Sequence, residues 1–175
     1  MELHSFDRRE EASQKTALLL QQAIESRLRK QEEVVVGVPG GRSVENVFAA
    51  LAEKDLAWGR LHVFLVDERL VPLTDDRSNF QVVDRHLLQP LKRRKVSSLP
   101  IVHAFDYKRQ DDQASQYYDE LMEMGGRYDV LLLGSGEDGH IAGLFPEHHS
   151  IREKEKPFII FHDSPKPPPS RMSAT

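Results

Sequence analysis

His140 and Asp138 stand two residues apart in a turn, residues 134–140, with glycine at 134, 136 and 139. An imidazole is the one side chain whose ordinary pKa, about 6.5, lets it take or give a proton near neutrality. A carboxylate this close can orient the ring and stabilise its charged form. The glycines permit positive φ and let a ligand approach the main chain. The same spacing also suits a plain polar loop in which Asp138 caps the turn that follows, so the pattern alone leaves both roles open. A second group lies at residues 39–43, where Gly40 and Gly41 precede Arg42 and Ser43. Such a loop can deliver backbone N–H groups and a helix N-terminus to an anion, and Arg42 could add a fork of donors for phosphate or carboxylate. A simple strand-to-helix turn would use the same glycines. The third group is Asp67-Glu68-Arg69, which either faces a cleft or forms a salt-bridge cluster in solvent.

Each group follows a strand pattern. Residues 33–38, 61–66 and 130–133 are short apolar runs of the kind that make parallel strands covered on both faces. In open α/β sheets, ligands bind beyond the C-terminal ends of such strands. Residues 7–30 carry Ala12, Thr16, Leu19, Leu20, Ala23, Ile24 and Leu28 at spacings of three and four, an amphipathic helix suited to covering the sheet. Ser43 is placed to cap a helix through Val44, Val47, Phe48 and Leu51. Ser78 and Gln81 match the S-x-x-Q capping box, starting a helix that Pro90 should close. A further helix is expected over residues 111–124, ended by Gly125-Gly126. Strand signals at 101–105 and 157–161 complete the alternation, the basic run at 92–95 reads as a surface turn, and residues 164–169 form a stiff proline-rich segment. The expected fold is α/β: a Rossmann-like three-layer α/β/α arrangement with a mainly parallel sheet, in one domain over residues 1–175 without internal repeats.

A chain of 175 residues with 39% apolar content can bury a core of its own. Its formal charge of −4, within 30% charged residues of both signs, argues against a dedicated nucleic-acid or membrane-surface binder. The lack of cysteine removes disulfides, thiolate metal sites and cysteine nucleophiles. No signal peptide is evident at the N-terminus and no apolar run reaches the ~20 residues needed to cross a bilayer, so a soluble, cytoplasmic protein is expected. Among familiar motifs, a Walker A loop is excluded because no Gly-Lys-Ser/Thr follows Gly41. Residues 134–139 satisfy G-x-G-x-x-G literally, but Pro146 interrupts the helix that a dinucleotide fingerprint requires. Ser135 lacks the flanking glycines of a serine-hydrolase elbow. A metal site could be drawn from His140, His148, His149 and His162, yet no helix-spaced H-E-x-x-H exists, and loop histidines are the simpler expectation.

Five segments give the chain a resemblance to the 6-phosphogluconolactonases, within the wider group of sugar-phosphate lactonases and aldose/ketose isomerase-deaminases. They are PGGRSV at 39–44, FLVDERLVP at 64–72, DDRSNF at 75–80, LLLGSGEDGHIAGLFP at 131–146 and DSPKPPPSRMS at 163–173, in family order. The glucosamine-6-phosphate deaminases share the D-G-H turn but resemble one another in a following F-N-E-P, where this chain has Gly143-Leu144-Phe145-Pro146. The resemblance implies hydrolysis of 6-phosphogluconolactone to 6-phosphogluconate, a small sugar phosphate as partner, and no metal or organic cofactor. It implies that His140 is the general base and that Asp138 tunes it. It places Gly40, Gly41 and Arg42 on the substrate phosphate with Arg69, Lys166 and Arg171 as further cations, and lets Asp67 and Glu68 hold sugar hydroxyls or orient Arg69. The donor to the oxyanion and the oligomeric state are left unassigned. Two departures stand out: the family's first loop usually begins Ser-Gly-Gly where this chain has Pro39, and family members resemble one another through a further strand and helix beyond the proline-rich match. The expectation is therefore a C-terminally incomplete lactonase domain, with a weak sugar-phosphate-binding module or a deaminase-like enzyme as alternatives.

Overall fold

A computed structural model describes residues 2–107 and 113–175. Among the described residues, β1 (Val34–Val38), β2 (Leu61–Leu65), β4 (Ile101–His103) and β5 (Val130–Leu131) form a parallel sheet in the order β4-β2-β1-β5. Three further strands, β3 (Asp67–Arg69), β6 (Phe158–Phe161) and β7 (Arg171–Ala174), pair antiparallel in the order β3-β7-β6. The chain begins its sheet at β1, steps outward through β2 to β4, and returns to the far side of β1 with β5. The strand order therefore reverses between β1 and β5, the place where open α/β sheets bind ligands.

Alternation along the strands builds the layers. Val34, Val36 and Val38 of β1 and Leu61, Val63 and Leu65 of β2 pack into one core with α1 (Arg9–Leu28) and α2 (Glu45–Ala52). The intervening Val35 and Phe64 point to the other face, where they meet Tyr117 and Leu121 of α5 (Gln113–Glu123) together with Phe158 and Met172 of the small sheet. The three-layer expectation holds, with one correction: the strand expected at 157–161 joins the antiparallel sheet. A crossover helix is what makes a parallel connection, and the proline-rich turn after β6 simply reverses the chain. The two sheets meet at Val66, whose N–H donates to Val38 O (2.9 Å) and whose carbonyl accepts from Ala174 N–H (2.8 Å).

Other local expectations change with packing. β5 is shorter than residues 130–133 and is paired only with β1 among the described residues, so Leu131 and Leu133 are exposed, not covered on both faces. α2 starts at Glu45 after Val44, and Ser43 does not cap it. Ser78 stands at the N-cap of α3 (Asn79–Val83), but its hydroxyl donates to Glu68, so the capping box does not form. Pro90 does not end that helix. A π turn over Asp84–Leu88, in which Gln89 N–H reaches Asp84 O, leads directly into α4 (Gln89–Arg94). The wider turn accommodates a residue that has no N–H to donate. The basic run is the last turn of α4 and ends at Lys95 in a left-handed conformation. Gly126 N–H donates to Leu121 O (2.9 Å), closing α5 as expected, while residues 111–112 of the expected helix lie outside the described residues. No described helix is long and apolar enough to cross a membrane.

Candidate active site

The loops after β1 and β5 meet β3 and β7 around a cleft of about 150 Å³. Gly40, Gly41 and Ser43 line it from the first loop, Gly134, Ser135, Gly136, His140 and Ala142 from the second, and Asp67, Arg69 and Arg171 from the small sheet.

The second loop is folded tightly enough to fix the imidazole. Gly136 N–H donates to His140 O (2.8 Å) and Gly139 N–H donates back to Gly136 O (2.9 Å), with Gly139 at φ +83°. A Cβ at position 136 would lie 2.2 Å from Cε1 and Nδ1 of His140, so glycine is what gives the ring its place. Phe145 supports the ring at 4.8 Å between centroids. His140 Nδ1 lies 2.5 Å from Asp138 Oδ1, and Lys166 Nζ lies 2.9 Å from the same oxygen. The hydrogen bond from His140, then that from Lys166, holds the Asp138 carboxyl well below the usual carboxylate range. An ionised carboxylate can only accept, so Nδ1 carries a hydrogen, and in the neutral ring Nε2 has the lone pair.

The cations are delivered by the small sheet, where Arg69 and Arg171 are register partners across β3 and β7. The Arg171 guanidinium sits over Phe145, 5.5 Å from the ring centroid, and donates to Pro167 O (3.1 Å) and Lys166 O (3.3 Å). Its Nη1 is 3.9 Å from Asp67 Oδ2. Arg69 donates to Arg77 O (2.7 Å). The Nε–H groups of both arginines are buried without an acceptor among the described residues. A buried donor without a partner is costly, and the two residues bring two positive charges to one side of the cleft. Burial pushes the Asp67 carboxyl up, opposed by the nearby charges of Arg69 and Arg171.

Glu68 stands outside the cleft. It is fully buried. Its carboxylate accepts from the backbone N–H of Arg69 (2.7 Å), Asn79 (2.6 Å) and Phe80 (2.8 Å) and from the Ser78 hydroxyl (2.9 Å). Burial still raises its pKa, with those hydrogen bonds pulling the other way. The carboxylate thus supplies the cap for α3 and anchors that helix to β3. Arg42 is also displaced from its expected place: it is exposed, does not line the cleft, and its carbonyl accepts from the Arg9 guanidinium. Lys166 reaches the site through Asp138 and is not itself a lining residue.

Gly40, Gly41, Asp67, Arg69, His140 and Arg171 are therefore brought together, and Asp138 and Lys166 stand behind the imidazole. Sequence reasoning missed Asn79 and Phe145. Asn79 is fully buried, donates to Asp67 O (2.8 Å), and approaches Gly40 so closely that a Cβ there would lie 1.9 Å from its Oδ1. Its signal was hidden inside the supposed capping box. Phe145 carries no local signal, because its partners His140 and Arg171 come from opposite ends of the closing segment.

Residues 7–175 match the family model described as glucosamine-6-phosphate isomerases/6-phosphogluconolactonase. The 6-phosphogluconolactonase of Borreliella burgdorferi is 33% identical over 149 residues, covering 83% of this chain and 63% of that protein. The 6-phosphogluconolactonase of Streptomyces coelicolor is 34% identical over 173 residues, covering 91% of this chain and 66% of that protein. The crystal structure of 6-phosphogluconolactonase from Thermotoga maritima superposes with a TM-score of 0.82 at 28% identity, covering 93% of this chain and 72% of that one. The chain spans just under two thirds of the length of the two curated relatives, 63% and 66%.

Proposed function

The chain belongs to the family of glucosamine-6-phosphate isomerases and 6-phosphogluconolactonases, and from that premise we propose that it hydrolyses 6-phospho-D-glucono-1,5-lactone to 6-phosphogluconate. The observation that carries this reading is the Asp138–His140 pair, which leaves Nε2 free of the carboxylate beside a cleft lined by Arg69 and Arg171. In this reading Nε2 takes a proton from water as its oxygen attacks the lactone carbonyl carbon. Asp138 stabilises the imidazolium that forms. The tetrahedral intermediate then collapses, the bond from carbonyl carbon to ring oxygen breaks, and His140 returns the proton to that oxygen. Arg69, Arg171 and the backbone around Gly40 and Gly41 hold the anionic groups of the substrate, its phosphate above all. Phosphate at a glycine-lined helix entry and charge-assisted bonds from arginine are familiar anion chemistry. The substrate would be drawn from the sugar phosphates of the cytoplasm, in the pentose phosphate pathway.

The test is lactone hydrolysis above the spontaneous background, for the parent and for His140→Ala, with circular dichroism showing both folded. Loss of a general base should lower the rate by about 10²- to 10⁴-fold. A folded parent that binds 6-phosphogluconate but does not turn over the lactone would overturn the catalytic reading and leave a binding module.

A further inference from the structure

Behind Phe145, on the side away from the cleft, a second group of side chains has no part in the chemistry above. His148 and His149 enter the short 3-10 turn His149–Arg152, and Asp163 follows β6. Asp163 Oδ1 lies 3.0 Å from His149 Nε2 and 3.3 Å from His148 Nε2, and the ligand atoms of the three residues all fall within 4.8 Å of one another. Ligands about 2.05 Å from a tetrahedrally coordinated zinc are separated from each other by about 3.3 Å, so the spacings to Asp163 are those of groups sharing one ion.

The orientation of His148 is the second observation. Its Nδ1 lies 2.9 Å from Ser150 Oγ, and its buried Nε2 makes no hydrogen bond among the described residues although Asp163 Oδ1 is 3.3 Å away. The Ser150 N–H donates to Nδ1 (3.2 Å), so in the neutral ring Nε2 bears the hydrogen, and ligation would require the proton to move to Nδ1, where Ser150 Oγ can accept it. What the arrangement supplies is two imidazole Nε2 atoms converging on one carboxylate oxygen. A histidine whose other ring nitrogen donates to an outer partner is how metal-bound imidazoles are normally held. Metal binding would therefore exchange the Ser150 N–H to Nδ1 bond for one from Nδ1–H to Oγ. His149 and Asp163 are both more than half exposed, which leaves an entry path and room for water as a fourth ligand.

We propose that His148, His149 and Asp163 bind a zinc-class divalent cation, fastening the turn after Phe145 to the end of β6. The ion's role there is structural. None of the three residues lines the cleft, and Phe145 contacts both His148 and His140, with centroid distances of 6.1 Å and 4.8 Å.

Chelator-treated protein is titrated with Co²⁺ and then Zn²⁺, following visible absorption, calorimetry and thermal unfolding. One equivalent should bind, with the intense Co²⁺ absorption of a four-coordinate site, displacement by Zn²⁺ and a raised Tm. His149→Ala and Asp163→Asn, both at exposed positions, should weaken binding by more than the roughly 10- to 100-fold that loss of an outer partner costs. His162→Ala, whose ring bonds Ser170 instead, should bind as the parent does. No metal response, or binding unchanged in Asp163→Asn, would overturn the proposal. So would a Tm that follows pH but not metal, which would mean that His148 and Asp163 share only a proton.

Discussion

At the scale of single residues, the site is a matter of where charges are anchored. Asp138 is held from two sides, by His140 and by Lys166, and both interactions favour its ionised form. Its folded pKa lies below the unfolded value of about 3.9, so the stability it contributes is present above that pH and is lost as pH falls through the folded value. Lys166→Met removes one of the two causes and moves the folded value back up. Urea unfolding across an acid series should show the variant less stable than the parent near about pH 5, with the two curves converging as the pH falls below both values. A constant difference across the series would mean that Lys166 acts through something other than Asp138. Asp138 and His140 were legible because spacing within one turn determines who meets whom. Glu68 and Arg42 were not, since a charged residue's letter does not say whether its side chain is buried. Glu68 found four donors inside the molecule, whereas Arg42 stayed in solvent.

At the scale of elements, one carboxylate organises both the start of α3 and the strand beside it. Glu68→Gln keeps the shape but turns part of an acceptor into a donor facing other donors, which should cost about 1–3 kcal/mol in a urea titration. Amide exchange should quicken at Asn79 and Phe80, whose N–H groups lose their acceptor. Unchanged protection there would show that the cap is not what orders the helix. The long elements could be read locally: β1 and β2 from their β-branched and apolar runs, and α1 from its three-and-four spacing. β3 and β7 could not. Each is short, both carry arginine, and Asp67 pairs with Ser173 across the width of the chain, so no window of neighbouring residues contains the pairing. The π turn escaped for a related reason, since Pro90 announces a missing donor but not the wider turn that absorbs it.

For the molecule as a whole, the three-layer plan followed from alternating strands and helices, but the makeup of the third layer did not. Met172 of β7 is fully buried between the layers, packed with Val35 and Phe64 of the parallel sheet and with Phe158 of β6. Met172→Ala should lose about 2–5 kcal/mol, read as a lower urea midpoint in a single transition by both circular dichroism and tryptophan fluorescence. Two separated transitions would show that the small sheet unfolds independently. The meeting of the sheets at Val66 carries a mechanical consequence. The imidazole and glycine loops follow strands of the parallel sheet and the two arginines stand on the small one, so the cleft lies along the seam between the sheets. The gap that a substrate must span thus follows from how the two sheets pack, and side chains far from the substrate, Met172 among them, set the grip through that packing.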